Sequence, residues 1–366
     1  MNIFTKLKNA KYVQKFFITL AISLLIIIAG VVMTCVKGMN LGIEFTGGIK
    51  VSVEANDVTD KKEFENTLRK WLEGDRGVSE TGESKNPDNK KFEIKNVTVN
   101  GDNYVVVLGT TMTENGKKVN MLTTKAKFKS GEKEITYVAQ RESQEINSEL
   151  TTYLQEKYNA GVTVSSSFVG NESAKWVLKS AIIAVAVAIA VILVYIAIRF
   201  TLLSGLAAIL ALIHNVLIMF ALTSIFQISV NQTFIAAIVT IIGYSINSTI
   251  VVFDKIRELM KKPSYKEVTD VDIANEAIGA TLKRTILTTL TTLVMIVLLA
   301  VFGTQAIKEF AYPIIFGLVA GAYSSILLAA PTWVYLRKLF KQADKKPVQN
   351  KKKAKNTDKP VVAENA

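Results

Sequence analysis

The sequence predicts an α-helical membrane protein with six transmembrane helices and one α+β domain outside the cytoplasm. Three observations support this fold class. The mean hydropathy is +0.29 and 49% of the residues are hydrophobic, both high for a water-soluble protein. Six apolar segments each have about 17 to 27 residues, near the length that a spanning helix needs. A polar segment large enough to form a domain, residues 37–175, follows the first apolar segment, and the other five follow it in close succession.

The six apolar segments define the predicted spans in chain order. They are Phe16–Val36, Ser180–Ile198, Leu202–Phe226, Thr233–Phe253, Thr285–Phe302 and Phe310–Leu336. The first segment, residues 16–36, is longer than the apolar core of about 7–15 residues that is typical of a removable signal peptide. We therefore expect a retained first transmembrane helix.

Basic residues are concentrated beside the ends of the spans. Residues 1–15 carry four lysines and no acid, and the tail after Leu336 carries ten basic and three acidic residues. Lys37–Lys175 is near balance, with 20 basic and 21 acidic residues. Because excess Lys and Arg marks the cytoplasmic side, both termini are predicted to be cytoplasmic and residues 37–175 extracytoplasmic. The net charge of +13 then reflects topology, and nucleic acid is not an expected partner.

The remaining boundaries follow from this topology. Residues 1–15 form a cytoplasmic basic N-terminus, and residues 176–340 form a five-helix transmembrane bundle with a cytoplasmic loop at 254–284. Residues 341–366 form a lysine-rich tail without apolar periodicity, which predicts disorder and attraction to anionic membrane lipids.

The domain at 37–175 alternates strand and helix signals. They are a strand at Gly42–Glu54, a helix at Asp57–Gly74, strands at Phe92–Val99 and Tyr104–Leu108, a helix at Ser143–Tyr158 and a strand at Val162–Phe168. This order is that of a ferredoxin-like domain, with residues 111–140 as an insertion or added hairpin. The domain has no cluster with metal-ligand spacing, no phosphate loop and no nucleophile elbow. We therefore expect no enzyme activity, no cofactor and no metal.

Three successive spans carry polar residues at membrane depth, where polar groups usually face a bundle interior or a pathway. At 100° per residue, the fourth span places Thr240, Gly243, Tyr244, Asn247 and Ser248 on one face. The fifth span does the same with Thr281, Thr285, Thr288, Thr289 and Thr292, beside Arg284, and the third span contains His214 and Asn215. We expect these stripes to form one polar seam.

Each stripe also has a purely structural interpretation. Small and hydroxyl residues allow close helix packing and interhelical hydrogen bonds, and Arg284 could snorkel to the cytoplasmic boundary. None of the predicted spans contains an interior Asp or Glu. Only His214 could titrate near neutral pH there.

Four motifs occur in order on these segments. They are Gly42-Ile43-Glu44-Phe45-Thr46-Gly47-Gly48, then Gly243-Tyr244-Ser245-Ile246-Asn247 followed by Thr249 to Glu258, then Arg284 to Thr288, and Tyr323-Ser324-Ser325-Ile326. Together they resemble SecF in the SecD/SecF family of bacterial protein-export subunits, with Glu44 where Asp is usual. The resemblance covers nearly the whole chain except the tail and residues 111–140.

The resemblance implies an accessory subunit of the Sec translocase in the bacterial plasma membrane. Such a subunit acts in late steps of export with SecD, the SecYEG channel and an exported unfolded polypeptide, driven by the proton motive force. The family's functional arginine matches Arg284. Its proton-linked carboxylate falls at Ser248, and a second Asp falls at Asn215, so both acids are replaced by neutral residues.

Two mechanisms stay open at this point. In the first, SecD supplies the titrating carboxylate and this chain is the structural and coupling half. In the second, Asn247, Ser248 and Thr288 form an uncharged oxygen-rich site for another cation, with Arg284 setting the local charge. The alternative functions are a half-transporter for small-molecule or lipid efflux of the same superfamily, and a membrane scaffold.

Overall fold

The structure is a computed structural model of the 366-residue chain. It describes residues 11–55, 58, 60–76, 86, 88–122, 125–127, 135–158, 161–265 and 267–340. Most of the predicted N-terminal basic segment and the whole predicted disordered tail, 341–366, lie outside the described residues.

Ten α-helices and seven strands make up the described part of the chain. The helices are α1 (Phe16–Lys37), α2 (Ile43–Thr46), α3 (Lys61–Leu72), α4 (Val138–Tyr158), α5 (Asn171–Arg199), α6 (Leu202–Ile225), α7 (Gln232–Lys261), α8 (Asp270–Phe302), α9 (Gln305–Ser324) and α10 (Ala330–Leu339). The strands are β1 (Gly48–Ala55), β2 (Lys91–Asn100), β3 (Asn103–Glu114), β4 (Lys117–Asn120), β5 (Lys125–Lys127), β6 (Ile135–Tyr137) and β7 (Val162–Val169). A π-helical segment, Ser325–Ala329, joins α9 to α10.

Six of these helical segments are long and apolar enough to cross a membrane, which confirms the predicted number. They are α1, α5, α6, α7, α8 and the continuous run α9–α10. α6, α7 and α9 form the buried centre of the bundle, whereas α1 and α5 leave most of their apolar side chains exposed. Exposed apolar helix faces are the surfaces that the hydrocarbon of a bilayer covers.

Glycine permits two close helix crossings in this bundle. A Cβ atom at Gly30 would lie 2.4 Å from the Cα of Ala221, so α1 contacts α6 backbone to backbone. Beside this crossing, the hydroxyls of Thr34 and Ser224 lie 2.8 Å apart. A Cβ atom at Gly317 would lie 2.5 Å from Ile241, where α9 crosses α7. Such small-residue contacts are typical of packing between membrane helices.

The segment 254–284, predicted as a loop, is mostly helical. α7 continues to Lys261 and α8 begins at Asp270, where the hydroxyl of Thr269 accepts a hydrogen bond from the Asp272 N–H at 3.2 Å. The two helices extend past the apolar spans because each keeps a buried apolar face there. Those faces include Ile256, Leu259, Ile273, Ala274 and Ala277.

The soluble domain has the predicted ferredoxin-like topology. Its main sheet has the order β2-β3-β1-β7 with antiparallel neighbours, and β4 extends the hairpin by pairing with β3. β5 and β6 form a separate two-stranded sheet, so the segment 111–140 supplies added hairpins. α3 and α4 cover one face of the sheet and share its apolar core, which includes Phe64, Leu68, Trp71, Ile146 and Leu150.

One strand prediction is wrong at its start. Residues Ile43–Thr46 form a single helical turn, α2, and the strand begins only at Gly48. Gly47 and Gly48 have φ angles of 68° and 127°, which L side chains rarely adopt. These glycines end the helical turn and redirect the chain into β1, a change of direction that the alternating apolar pattern did not reveal.

Candidate functional site

A buried hydrogen bond joins α6 to α7 at the centre of the bundle. The side chain of Asn215 is fully buried, and its Nδ2 donates to the hydroxyl of Ser245, at 2.5 Å. The Oδ1 of Asn215 lies 3.1 Å from Nδ1 of His214. Since Oδ1 can only accept, this imidazole nitrogen carries the proton. The amide of Asn215 therefore links a histidine on one side to a serine on the other.

The chain of hydrogen bonds continues from His214 to two further helices. The Nε2 of His214 lies 3.3 Å from the hydroxyl of Tyr323 in α9, and that hydroxyl lies 3.1 Å from the hydroxyl of Ser23 in α1. In the neutral imidazole with its proton on Nδ1, Nε2 accepts from the Tyr323 hydroxyl, and the oxygen of that hydroxyl can accept from Ser23. We call Ser23, Tyr323, His214, Asn215 and Ser245 the buried polar chain.

The buried polar chain satisfies its polar groups without a charge. It crosses α1, α9, α6 and α7 in that order, and the π-helical segment begins two residues after Tyr323. π-Helical turns inside α-helices occur frequently at functional sites. Every imidazole and amide contact in this chain is made with a neutral partner. The chain can therefore hold four helices in register. It can pass a proton only if its hydroxyl and imidazole donors reorient.

A second polar region lies on the outside of the bundle, across α7 and α8. Five of its residues are exposed to solvent in the isolated chain: Thr240, Gly243, Asn247, Arg284 and Thr288. Tyr244 bridges the two helices, because its hydroxyl donates to the carbonyl oxygen of Thr288 at 2.8 Å and lies 3.1 Å from the hydroxyl of Thr292. We call this region the α7–α8 polar face.

The expectation of one continuous seam is therefore wrong. Asn215 contacts Ser245, whereas Asn247 and Thr288 are exposed on the other side of α7. Ser248 is buried with Ser245 and Thr249. The periodicity was correct, but α7 is packed over so wide an arc that the boundary between buried and exposed surface divides the predicted face.

The threonine stripe of α8 divides in the same way. Thr281, Thr285 and Thr289 are buried, whereas Thr288 is exposed beside Arg284. The hydroxyl of Thr288 donates to two backbone carbonyl oxygens of its own helix, that of Arg284 at 2.8 Å and that of Thr285 at 3.1 Å. The three buried threonines therefore pack against the bundle, whereas Thr288 and Arg284 lie on the exposed side of α8.

The motif Gly42 to Gly48 joins the soluble domain to the bundle. The N–H of Gly42 donates to the carbonyl oxygen of Val230 at 2.8 Å, and the N–H of Val230 donates to the backbone carbonyl oxygen of Asn40 at 2.7 Å. Phe45 packs against the apolar core around α7 and α9, and the Thr46 hydroxyl donates to the carbonyl oxygen of Gly47 at 3.0 Å. The motif thus fixes the first strand to the loop before α7.

A cavity of about 370 Å³ lies at this joint. Glu44, Lys50 and Glu309 are among its lining residues, and Glu309 is buried. The Oε2 of Glu309 accepts a hydrogen bond from the Asn231 amide at 2.6 Å. Sequence reasoning missed Glu309 because it precedes the predicted sixth span by one residue, and it missed Ser23 because a lone serine in an apolar helix carries no signal. Tyr323 was noticed only as part of a motif.

Among the described residues, no group of three or more His, Cys, Asp or Glu side chains could hold a metal ion. The described residues offer hydrogen bonds within the bundle, an exposed arginine directly before the predicted fifth span and a joint between the soluble domain and the bundle. Residues 149–339 match the family described as protein export membrane protein SecD/SecF, C-terminal, and residues 32–57 match the SecD/SecF GG motif. The chain belongs to the SecD/SecF family.

Individual relatives agree with this assignment. The protein translocase subunit SecF of Sebaldella termitidis is 34% identical over 326 residues, which cover 89% of this chain and 91% of that protein. SecF of Cereibacter sphaeroides is 32% identical over 87% of each protein. The crystal structure of SecDF, a translocon-associated membrane protein from Thermus thermophilus, matches with a TM-score of 0.69 and 27% identity. That match covers 92% of this chain and 40% of the SecDF chain.

Proposed function

We propose that this chain is an accessory subunit of the Sec protein translocase and that it acts in late steps of export with SecD and the SecYEG channel. The α7–α8 polar face carries the proposal. It combines a family-matched arginine, Arg284, with an exposed amide, Asn247, on helices that cross the membrane. Arg284 directly precedes the predicted span Thr285–Phe302, and an exposed arginine that turns toward the hydrocarbon costs free energy unless a partner pairs with it. A protein partner at this face removes that cost.

The partner at this face is SecD in our proposal. SecD presents a carboxylate to Arg284, and that carboxylate is the group that titrates. Arg284 raises the local positive potential and stabilises the ionised carboxylate, so protonation weakens the contact between the two subunits. In this arrangement Ser248, which is buried on the other side of α7, has a passive packing role. The present chain then couples without binding the proton itself.

The cation-site mechanism has less support. It requires Asn247, Ser248 and Thr288 to converge, but Ser248 is buried whereas Asn247 and Thr288 are exposed. The hydroxyl of Thr288 already donates to its own helix. Neutral oxygens alone also give a low charge count for cation binding.

The proposed orientation follows the distribution of basic residues. Both termini lie in the cytoplasm of a bacterial cell, and the soluble domain lies outside the plasma membrane, where it meets the exported unfolded polypeptide. The joint at Gly42 to Gly48 fixes that domain to the loop before α7 by backbone hydrogen bonds. Movement of the membrane helices therefore reaches the domain through this joint.

The decisive experiment combines co-purification with a secretion assay. Depletion of the chain should slow export, and the wild-type chain should co-purify with SecD and SecYEG. Arg284→Gln should lose SecD and secretion together, whereas the neighbouring exposed Lys283→Gln should keep both. Undiminished secretion after depletion would refute the translocase role. If Ser248→Ala abolishes export while SecD still co-purifies, the passive role of Ser248 is wrong.

A further inference from the structure

A large cavity opens at the end of the bundle where α5 ends and α6 begins. Its volume is about 770 Å³, and residues of α5, α6, α7 and α10 line it. It is at the opposite end of these helices from the soluble domain, and it includes none of the residues of the buried polar chain or the α7–α8 polar face. It is therefore separate from the sites described above.

One side of the cavity is apolar and continues onto the outer surface of the helices. Ile198 and Leu202, which flank the turn between α5 and α6, are 83% and 87% exposed. Side chains this apolar and this exposed at the end of a spanning helix face hydrocarbon. Phe340, at the end of α10, adds a further exposed apolar side chain to the lining. The cavity therefore adjoins the lipid-covered surface of the bundle.

The other side of the cavity is basic. Arg199 pairs with Asp254 at 3.1 Å, and Arg337 pairs with Asp270 at 3.1 Å. Arg257 and Lys261 line the same cavity, one helical turn apart on α7, and form no ion pair within the part of the chain that the structure describes. The Nη1 of Arg257 donates one hydrogen bond to the backbone carbonyl oxygen of Arg199, at 3.3 Å. Residues four apart on a helix are neighbours on its surface, so these two cations point in a similar direction.

Two cations without an ion-pair partner among the described residues, beside an exposed apolar wall, favour one class of ligand. A guanidinium binds phosphate oxygens through paired N–H donors, and an ammonium adds a point charge. Acyl chains match the apolar wall formed by Ile198 and Leu202. The chain's own tail is a poor occupant, because the sequence after Leu336 carries ten basic and three acidic residues and has the same sign of charge as the cavity.

We propose that this cavity binds an anionic glycerophospholipid, with its phosphate at Arg257 and Lys261 and its acyl chains along Ile198 and Leu202. The lipid occupies the inner leaflet if the termini are cytoplasmic, but its recognition depends only on the cavity. The site is independent of whichever protein covers the α7–α8 polar face.

The experiment uses the full chain purified in a neutral detergent. Binding is measured by native mass spectrometry and by the rise in melting temperature on addition of dioleoylphosphatidylglycerol, dioleoylphosphatidylcholine, glycerol 3-phosphate or inorganic phosphate. Only phosphatidylglycerol should bind and stabilise. The double substitution Arg257→Gln with Lys261→Gln should weaken its binding about 30-fold, since each basic residue near an anionic lipid surface is worth about fivefold in affinity.

Three further variants make the result specific. Lys11→Gln with Lys15→Gln removes two exposed charges from the same end of the bundle outside the cavity and should leave binding unchanged. Arg257→Lys with Lys261→Arg should retain binding, and a chain ending at Phe340 should also retain it. Equal binding of phosphatidylcholine, equal loss in both Gln pairs, saturation by phosphate alone, or loss on removal of the tail would each overturn the proposal.

Discussion

The side-chain amide of Asn215 lies 2.5 Å from the hydroxyl of Ser245, and this hydrogen bond joins α6 to α7 where both are buried. Asn247, two residues beyond Ser245, carries the same amide on the exposed side of α7. One helix therefore separates a contact that holds the chain together from a surface that is available to a partner.

This separation predicts opposite effects of two matched substitutions. Asn215→Ala leaves the hydroxyl of Ser245 and the Nδ1 of His214 without their Asn215 partner and should destabilise the purified chain by about 1–3 kcal/mol. Asn247→Ala should leave stability in detergent nearly unchanged but reduce co-purification with SecD. The measurements are denaturant unfolding followed by tryptophan fluorescence, and pull-down from membranes. Equal destabilisation by both substitutions would contradict the assignment of the two faces.

The glycines of α1 and α7 provide a second matched pair. Gly30→Ala forces a Cβ atom to within 2.4 Å of Ala221 and should separate α1 from α6, breaking the hydrogen bond between Thr34 and Ser224. We expect a loss of about 1–3 kcal/mol, as for other overpacked sites. At Gly243 an added Cβ meets no atom within 4 Å among the described residues.

Gly243→Ala should instead stabilise the isolated chain by about 0.5–1 kcal/mol, because alanine favours a helix over glycine. Melting temperatures of the two variants in one detergent test the prediction. A lower melting temperature for Gly243→Ala would mean that this part of α7 is packed in the isolated chain.

Asn231 provides a test of the joint between the domain and the bundle. Its Oδ1 accepts from the N–H of Thr233 at 3.0 Å, which caps α7, and its Nδ2 donates to Glu309 at 2.6 Å. Asn231→Ala removes both contacts and should cost about 1–2 kcal/mol. Glu309→Gln keeps an acceptor at the same place and should cost less. Limited proteolysis of the loop 226–231, which joins α6 to α7, reports the difference. Equal cleavage of both variants would argue against this joint.

Glu142, in the soluble domain, predicts a dependence of stability on pH. It is 1% exposed, with Arg141 at 2.6 Å and Lys90 at 3.2 Å. Burial raises the pKa of the Glu142 carboxyl above its ordinary value of 4.5, and the charges of Lys90 and Arg141 only partly offset this. The folded state therefore favours the neutral acid.

The sign of the effect follows from that direction. Stability from Glu142 is fully present below pH 4.5 and is lost as the pH rises through the higher folded pKa. Glu142→Gln imitates the neutral acid, and Lys90 keeps Glu145 as a partner at 2.5 Å. The variant should match the wild type near pH 4 and melt at a higher temperature near pH 7. A melting-temperature difference that does not change with pH would refute this.

The sequence was sufficient for the six spans and for the ferredoxin-like order, because length and periodicity report burial against lipid or a sheet. It was insufficient for the site. Helical spacing shows that Asn247 and Ser248 are adjacent, but only the neighbours of α7 decide that one is exposed and the other buried. Long-range partners such as Ser23 and Tyr323, 300 residues apart, cannot be found from local spacing.

The pairing of β1 with β7 has a mechanical consequence. The two strands form eight residue pairs, from Gly48 opposite Val169 to Ala55 opposite Val162. β1 is reached from α1 through residues 38–47, which include the helical turn α2, and β7 leads directly into α5 through Gly170. Both connections to the membrane helices leave the sheet at the same end. A sideways displacement of α1 relative to α5 therefore pulls the β1–β7 pairs apart one at a time, starting at Gly48 and Val169. A tilt shared by both helices instead rotates the whole domain about Gly48 and Val169.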